Sequence, residues 1–443
     1  MCYNTDVSMN AKGFLEKQDM PMSGPVRGKY KWVLLSFLFV AFFLELGSRQ
    51  LYNAALPQIR LEFLRLGVTD AQLGAVGSVF AAVFGLALVA SGLAADFFGR
   101  KRVLVGGTLL YSAGVMGSGF AGSVGALILF YGVLNALGQC CVAPASYALI
   151  SKYHKRTRSM AMAIFQSAVY LGIILSSVFG GVLAEMGEGV WRWAFWITGA
   201  AGVAWAAAMH FGMRPEPPGE GEGGGDASVK EAFFALLGKP TAILIAVAFG
   251  FFMYASLGIR LWTPMFLTRS FDGVGTASAA FHGVFWLNAG SLASCLVTAR
   301  LIDRFGVGRP SVRLEVSLLG FLLSIGPMLW VAHAGSFSEC CAAMAVLGTT
   351  VGVYEAAHYP AMFDCIAPRY RSAATGITGC MAFLMGSLAP ATLGWMNDHM
   401  SMRAGFASLG WFYLAGAIVL LPALFWLFKK DYIADGEQQG GRR

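Results

Sequence analysis

Long apolar runs broken by short polar stretches fill the chain from residue 32 to residue 429. A helix that crosses a bilayer needs about 20 mostly apolar residues. Twelve runs meet that length, at 32–56, 73–95, 103–121, 124–151, 159–184, 190–212, 241–268, 276–301, 311–334, 337–363, 372–395 and 404–429. The pattern predicts an all-α membrane protein with twelve transmembrane helices. The polar stretches divide it further. Residues 1–31 read as a cytoplasmic tail, 32–212 as a first set of six spans, and 213–240 as a flexible linker carrying Pro215, Pro217 and Pro218 and the glycines around Gly223. Residues 241–429 read as a second set of six spans, and 430–443 as a second tail.

Composition supports this reading. The 443 residues are 57% hydrophobic and 13% charged, against about a quarter charged in soluble proteins. The net charge of +8 is a topology signal rather than a sign of nucleic acid, because the basic residues are unevenly placed. Of 32 Lys and Arg, only Arg60, Arg65, Arg192, Arg269 and Arg403 fall in the segments opposite the chain ends, and Arg49 and Arg260 lie within spans. The rest cluster on the side of the termini. Positive charge marks the cytoplasmic side, so both termini are expected in the cytoplasm, with the chain in the cell inner (plasma) membrane. The first tail lacks the apolar core and small-residue cleavage site of a signal peptide. The eight cysteines have no metal-ligand spacing with histidine, and no metal or cofactor is expected.

The two halves repeat in order. Gly92-Leu93-Ala94-Ala95-Asp96-Phe97-Phe98-Gly99-Arg100-Lys101-Arg102 follows the second span, and Ala299-Arg300-Leu301-Ile302-Asp303-Arg304-Phe305-Gly306 follows the eighth. Leu46-Gly47-Ser48-Arg49 in the first span matches Leu257-Gly258-Ile259-Arg260 in the seventh. Gln139 precedes Pro144 by five residues, as Glu355 precedes Pro360. The segment from Gly92 to Arg102 resembles the signature loop of the major facilitator superfamily, except that Phe97 stands where a basic residue is usual. The resemblance implies two pseudo-symmetric six-helix bundles around a central cavity, lined by spans 1, 4, 7 and 10, and transport by alternating access. It also implies a gate motif on the cytoplasmic face, made of Gly92, Asp96, Gly99, Arg100, Asp303, Arg304 and Gly306. A carboxylate at a helix end near neighbouring helix starts and arginines suits a latch that holds in one state and releases in another.

Ionisable residues deep in a span are costly and mark function. The clear cases are Glu45, Arg49, Arg260 and Glu355, which all lie on spans 1, 7 and 10. Glu45 and Arg49 share a helix face at i, i+4, and Glu355 and His358 share one at i, i+3. A small-molecule anion is expected to displace a carboxylate from Arg49 or Arg260, using the forked guanidinium. The freed carboxylate, Glu45 or Glu355, then takes up a proton, which is symport. The competing reading makes Glu45–Arg49 and Arg260–Glu355 structural pairs. The absence of an intramembrane Asp favours H⁺ over Na⁺ as coupling ion.

The first span is similar to that of organic anion:cation symporters, which carry N-x-x-D-R-x before A-x-P. Here Glu45-Leu46-Gly47-Ser48-Arg49-Gln50 precedes Ala55-Leu56-Pro57. The Arg is kept and the acid stands one turn earlier. A sugar acid or carboxylate is the expected cargo. The alternative is uniport or export of a neutral sugar, nucleoside or amphipathic compound, held by Gln139, Gln166, Asn288, Tyr52 and Trp262. The fifth span lacks the G-P-x-x-G-G motif of drug antiporters. No nucleotide-binding glycine loop and no catalytic constellation occurs, so an enzyme is not expected. A monomer in the lipid bilayer is the superfamily expectation.

Overall fold

The structure is a computed structural model that describes residues 25–154, 157–214, 229–305, 309, 311–367 and 370–433. Twelve long helices account for nearly all of it. They are α1 (Pro25–Leu64), α2 (Asp70–Phe98), α3 (Arg100–Gly119), α4 (Val124–Tyr153), α5 (Arg158–Glu185) and α6 (Trp191–Gly212) in the first half. The second half holds α7 (Pro240–Ser270), α8 (Thr276–Phe305), α9 (Val312–His333) and α10 (Phe337–Phe363). It ends with α11 (Arg371–Gly386, resuming at Leu388–His399) and α12 (Met402–Asp431). Each helix coincides with one expected span. Eleven are long and apolar enough to cross a membrane. The exception is α3, whose glycines and basic start dilute its apolar run. It packs against α4 and α6, where Tyr111, Val115 and Leu104 are fully buried.

Three local departures have physical causes. Helix α2 starts at Asp70, three residues before the apolar run, because Thr69 caps it. The Thr69 side chain accepts from the Gln72 N–H, and the Gln72 side chain accepts from the Thr69 N–H. Helix α4 is not uniform. A π-helical stretch covers Ile128–Asn135, and the α-helix breaks at Cys140 and Cys141. Pro144 lacks the N–H that the Cys140 carbonyl would otherwise accept. The third departure corrects the linker. A helix, Val229–Leu237, occupies part of the stretch expected to be flexible. Ala232 and Leu236 bury against the bundle, which gives this short helix a tertiary anchor.

The halves meet along α2–α11 and α5–α8. Gly74 permits the first contact, since a Cβ there would overlap the Pro390 carbonyl oxygen. At the opposite end of α2, Gly99 turns the chain into α3 with φ +84°, a conformation that L side chains resist.

Candidate functional site

Glu45 and Arg49 lie one turn apart on α1, and the pair forms. Arg49 Nη2 donates to Glu45 Oε1 at 3.1 Å. Helix α4 supplies the rest of the setting. Arg49 Nε donates to Gln139 Oε1 at 3.0 Å, and the Gln139 amide donates to Ser48 Oγ at 3.0 Å and Asn135 Oδ1 at 2.9 Å. The Tyr131 hydroxyl donates to the Arg49 carbonyl at 2.7 Å. From α2, Phe84 and Phe80 place their rings 4.6 and 5.4 Å from the guanidinium carbon. Such contacts contribute about 0.5–2 kcal/mol and orient the fork without neutralising it.

The two partners differ in exposure. The Glu45 side chain is 2% exposed and that of Arg49 is 26% exposed. Glu45 Oε2 is buried with no donor. Among the described residues, Arg49 Nη1 has no hydrogen-bond partner. The pair therefore presents a free guanidinium edge outward and an unsatisfied carboxylate oxygen inward. A buried polar atom left without a partner is costly, so Glu45 Oε2 is the least satisfied atom of the pair.

The second half contributes Arg260 of α7 and Glu355 of α10. The expected Arg260–Glu355 pair does not form. Arg260 Nε donates to Ser256 Oγ at 3.2 Å, and its Nη1 donates to Asn288 Oδ1 at 3.4 Å. Asn288 also donates to the Val284 carbonyl at 2.7 Å, so its amide positions Arg260. Glu355 instead accepts from the Ser291 hydroxyl of α8, which satisfies one oxygen and frees the arginine. The helices that carry Arg49 and Arg260, α1 and α7, pack against each other across the seam. Arg49 and Arg260 lie within electrostatic range of each other, one from each half. Gln166, one turn before Tyr170, accepts from the Tyr147 hydroxyl at 2.9 Å.

Three expected binding residues lie elsewhere. Tyr52 is fully buried, its hydroxyl donating to the Leu73 carbonyl at 2.8 Å, so it ties α1 to α2. Trp262 is also fully buried, and its indole N–H donates to the Pro390 carbonyl at 3.0 Å. His358 is buried within an aromatic stack. Its ring stacks on Phe249 at 4.7 Å and Tyr354 at 5.0 Å, and neither ring nitrogen has a partner. In each case an aromatic or amphipathic side chain is consumed by helix packing, which sequence spacing alone does not reveal.

The face opposite the chain ends is closed by charge. Asp70, at the start of α2, accepts from Arg60 of α1 and from Arg269 of α7, the latter at 2.7 Å. Asp398 of α11 caps α2 from the other half, accepting from the N–H groups of Asp70 at 2.9 Å and Ala71 at 2.8 Å. These residues were not singled out by the sequence. Nothing in the chain predicted that Arg269 and Asp398 would meet at the start of α2. Tyr131, Phe80 and Phe84 were missed as well. Tyr131 and Asn135 stand at four-residue steps from Gln139, the one available signal.

On the face of the chain ends, the signature loop contacts its own half. Lys101 Nζ donates to the carbonyls of His210, at 2.7 Å, and Met213. Arg100 opens α3, and Asp303 and Arg304 are exposed in the last turn of α8. Gly306 and the side chain of Asp96 lie outside the described residues, and Gly92 is described only as part of the α2 backbone.

Comparison with known proteins agrees with this architecture. Residues 38–390 match the family model of the Major Facilitator Superfamily. A probable sulfoacetate transporter of Cupriavidus necator is 26% identical over 433 residues, covering 91% of this chain and 94% of that protein. An MFS-type efflux pump of Mycolicibacterium smegmatis is 24% identical over 408 residues, covering 88% of this chain and 91% of the pump. The crystal structure of a bacterial homolog of the human lysosomal transporter Spinster, inward-facing and occupied, superimposes with a TM-score of 0.78. Its identity is 19%, over 93% of this chain and all of that one. Twelve helices in repeated halves, charges gathered at the seam and the family match lead to one conclusion: the chain is a multi-pass membrane transporter belonging to the Major Facilitator Superfamily.

Proposed function

We propose that this transporter carries a small organic anion, a sugar acid, carboxylate or sulfonate, in symport with a proton. The observation that carries the reading is the Glu45–Arg49 geometry. The free Nη1 edge of Arg49 and the open end of Arg260 offer two cationic donors from opposite halves to one anion. An anion that takes over Arg49 leaves Glu45 buried without its ionic partner. Protonation at the orphaned Oε2 removes that penalty, because a neutral carboxyl tolerates burial far better than an ion. Release of the anion restores the pair and expels the proton. Glu45, rather than Glu355, is the coupling acid in this scheme, since Glu355 keeps its Ser291 bond whether or not Arg260 is occupied. Gln139, Gln166 and Asn288 orient donors around the cargo.

The remaining assignments follow the charge asymmetry of the loops. Both termini lie in the cytoplasm of a cell with the chain in its inner membrane, acting as a monomer. The Asp70 cluster is then the outer closure, and halves 32–212 and 241–429 rock about the seam. The relationship to a sulfoacetate transporter favours an anionic cargo. The relationship to an efflux pump keeps export as the second reading.

A thermal-shift screen of purified protein against sugar acids, dicarboxylates, sulfonates and neutral sugars identifies the cargo class. Uptake of the hit into proteoliposomes under an imposed pH gradient then separates the readings. An anion whose uptake follows the gradient and disappears in Arg49→Ala supports symport. Wild-type uptake by both Arg49→Ala and Arg260→Ala overturns it.

A further inference from the structure

The helix Val229–Leu237, which precedes α7, buries Ala232 and Leu236 against the bundle and turns the opposite side outward. At 100° per residue, Phe234 falls opposite the buried pair, with Leu237 and Phe233 following it along one flank. All three are exposed, Phe234 at 68%. Glu231 is exposed on a separate side of the helix. Left in water, this arc would forfeit about 25 cal/mol for each Å² of apolar surface. Large exposed apolar patches mark interaction sites.

The position of the helix identifies what covers the arc. Lys239, two residues past its end, donates through Nζ to the Asp431 carbonyl at 3.2 Å, and Asp431 Oδ2 caps α7 at the Thr241 N–H at 2.8 Å. The helix is thereby tied to the end of α12. There Phe425 and Trp426 are exposed, at 65% and 76%, followed by exposed Lys429 and Lys430. An aromatic strip bordered by lysines has the composition of a membrane–water boundary. It continues without interruption from a helix that spans the bilayer.

We infer that the Val229–Leu237 helix lies in the plane of the membrane surface, with Phe233, Phe234 and Leu237 inserted at the headgroup–acyl boundary and Lys429 and Lys430 holding anionic lipid phosphates beside it. In-plane helices bind in this way through one apolar face and a basic border. The stretch that joins the halves is therefore pinned to the bilayer on the α7 side rather than solvated throughout.

The full chain carrying photoreactive benzoylphenylalanine in place of Phe234 tests this in nanodiscs of phosphatidylglycerol and phosphatidylcholine, with adducts read by mass spectrometry. The same residue in place of Glu231 is the off-arc control. The inference expects lipid adducts at 234, enriched in phosphatidylglycerol, and their loss at 231. It expects Lys429→Gln with Lys430→Gln to abolish the enrichment while the adduct persists. Crosslinks from 234 to protein alone, or equal lipid adducts at 231, overturn the in-plane placement. Adducts without phosphatidylglycerol enrichment overturn the assignment of anionic lipid.

Discussion

Arg269 of α7 reaches across the seam to Asp70 of α2 at 2.7 Å, while Arg60 holds the same carboxylate from within the first half. Asp70 is nearly fully buried, and the Arg269 side chain is 39% exposed. A charge-assisted bond of this kind contributes about 1–2 kcal/mol once solvent screening is allowed for. That is a factor of roughly 5 to 30 in a two-state ratio.

Arg269→Gln removes the bond across the seam and leaves Arg60 on Asp70. The closed population on this face is expected to fall by roughly that factor. Spin labels at Leu66 and Met400, both exposed on this face, report it by electron–electron distance measurement. The variant should gain a longer-distance population, and an unchanged distribution contradicts the closure.

Gly74 and Gly394 set the same closure by shape. A Cβ at Gly74 overlaps the Pro390 carbonyl oxygen, and one at Gly394 overlaps the Asp70 carbonyl oxygen. Neither obstacle is a flexible side-chain tip, so the helices must separate. Gly74→Ala should therefore open the α2–α11 contact and raise labelling of a Cys placed at Ser78, whose hydroxyl now accepts from the Ala391 N–H at 3.1 Å. Labelling at the wild-type rate would show that the seam accommodates the methyl group.

Tyr52 and Trp262 are structural on this account. Tyr52→Phe deletes one buried hydrogen bond to Leu73 and should cost about 1 kcal/mol of stability, seen as a lower Tm. Cargo affinity should not change. A weakened Kd at unchanged Tm would return Tyr52 to the binding site.

Arg49 and Arg260 are predicted to act together but unequally. Arg49→Lys keeps the charge and loses the fork, so it cannot hold Glu45 and Gln139 at once. Isothermal titration should show weaker cargo binding by about tenfold, equivalent to about 1.4 kcal/mol. Arg260→Lys should do likewise without altering the dependence of binding on pH, because Glu355 is not its partner. A pH profile displaced by Arg260→Lys would point instead to coupling through the second half.

Helix number, the repeat and the identity of the four membrane charges were all legible in the chain. Apolar length and loop charge are local properties, and a charge in a span is conspicuous. Side-chain partners were less so. Arg260 chose Ser256 and Asn288 over Glu355, and His358 stacked on Phe249, because rotation about each helix axis decides which residues meet. Spacing along one helix does not report that rotation. The Asp70 cluster was hidden for a related reason: Asp70, Arg269 and Asp398 belong to three loop-proximal helix ends that only tertiary packing brings together. The helix at Val229–Leu237 was masked by the glycine- and proline-rich sequence before it.

The central claim is that Glu45 carries the proton that the anion's arrival makes necessary. Glu45→Gln mimics the protonated state and cannot release it. In proteoliposomes loaded with the screened cargo, this variant should exchange internal for external cargo at near the wild-type rate while losing all accumulation driven by an imposed pH gradient. Gradient-driven accumulation that survives in Glu45→Gln, with exchange intact, would contradict the account.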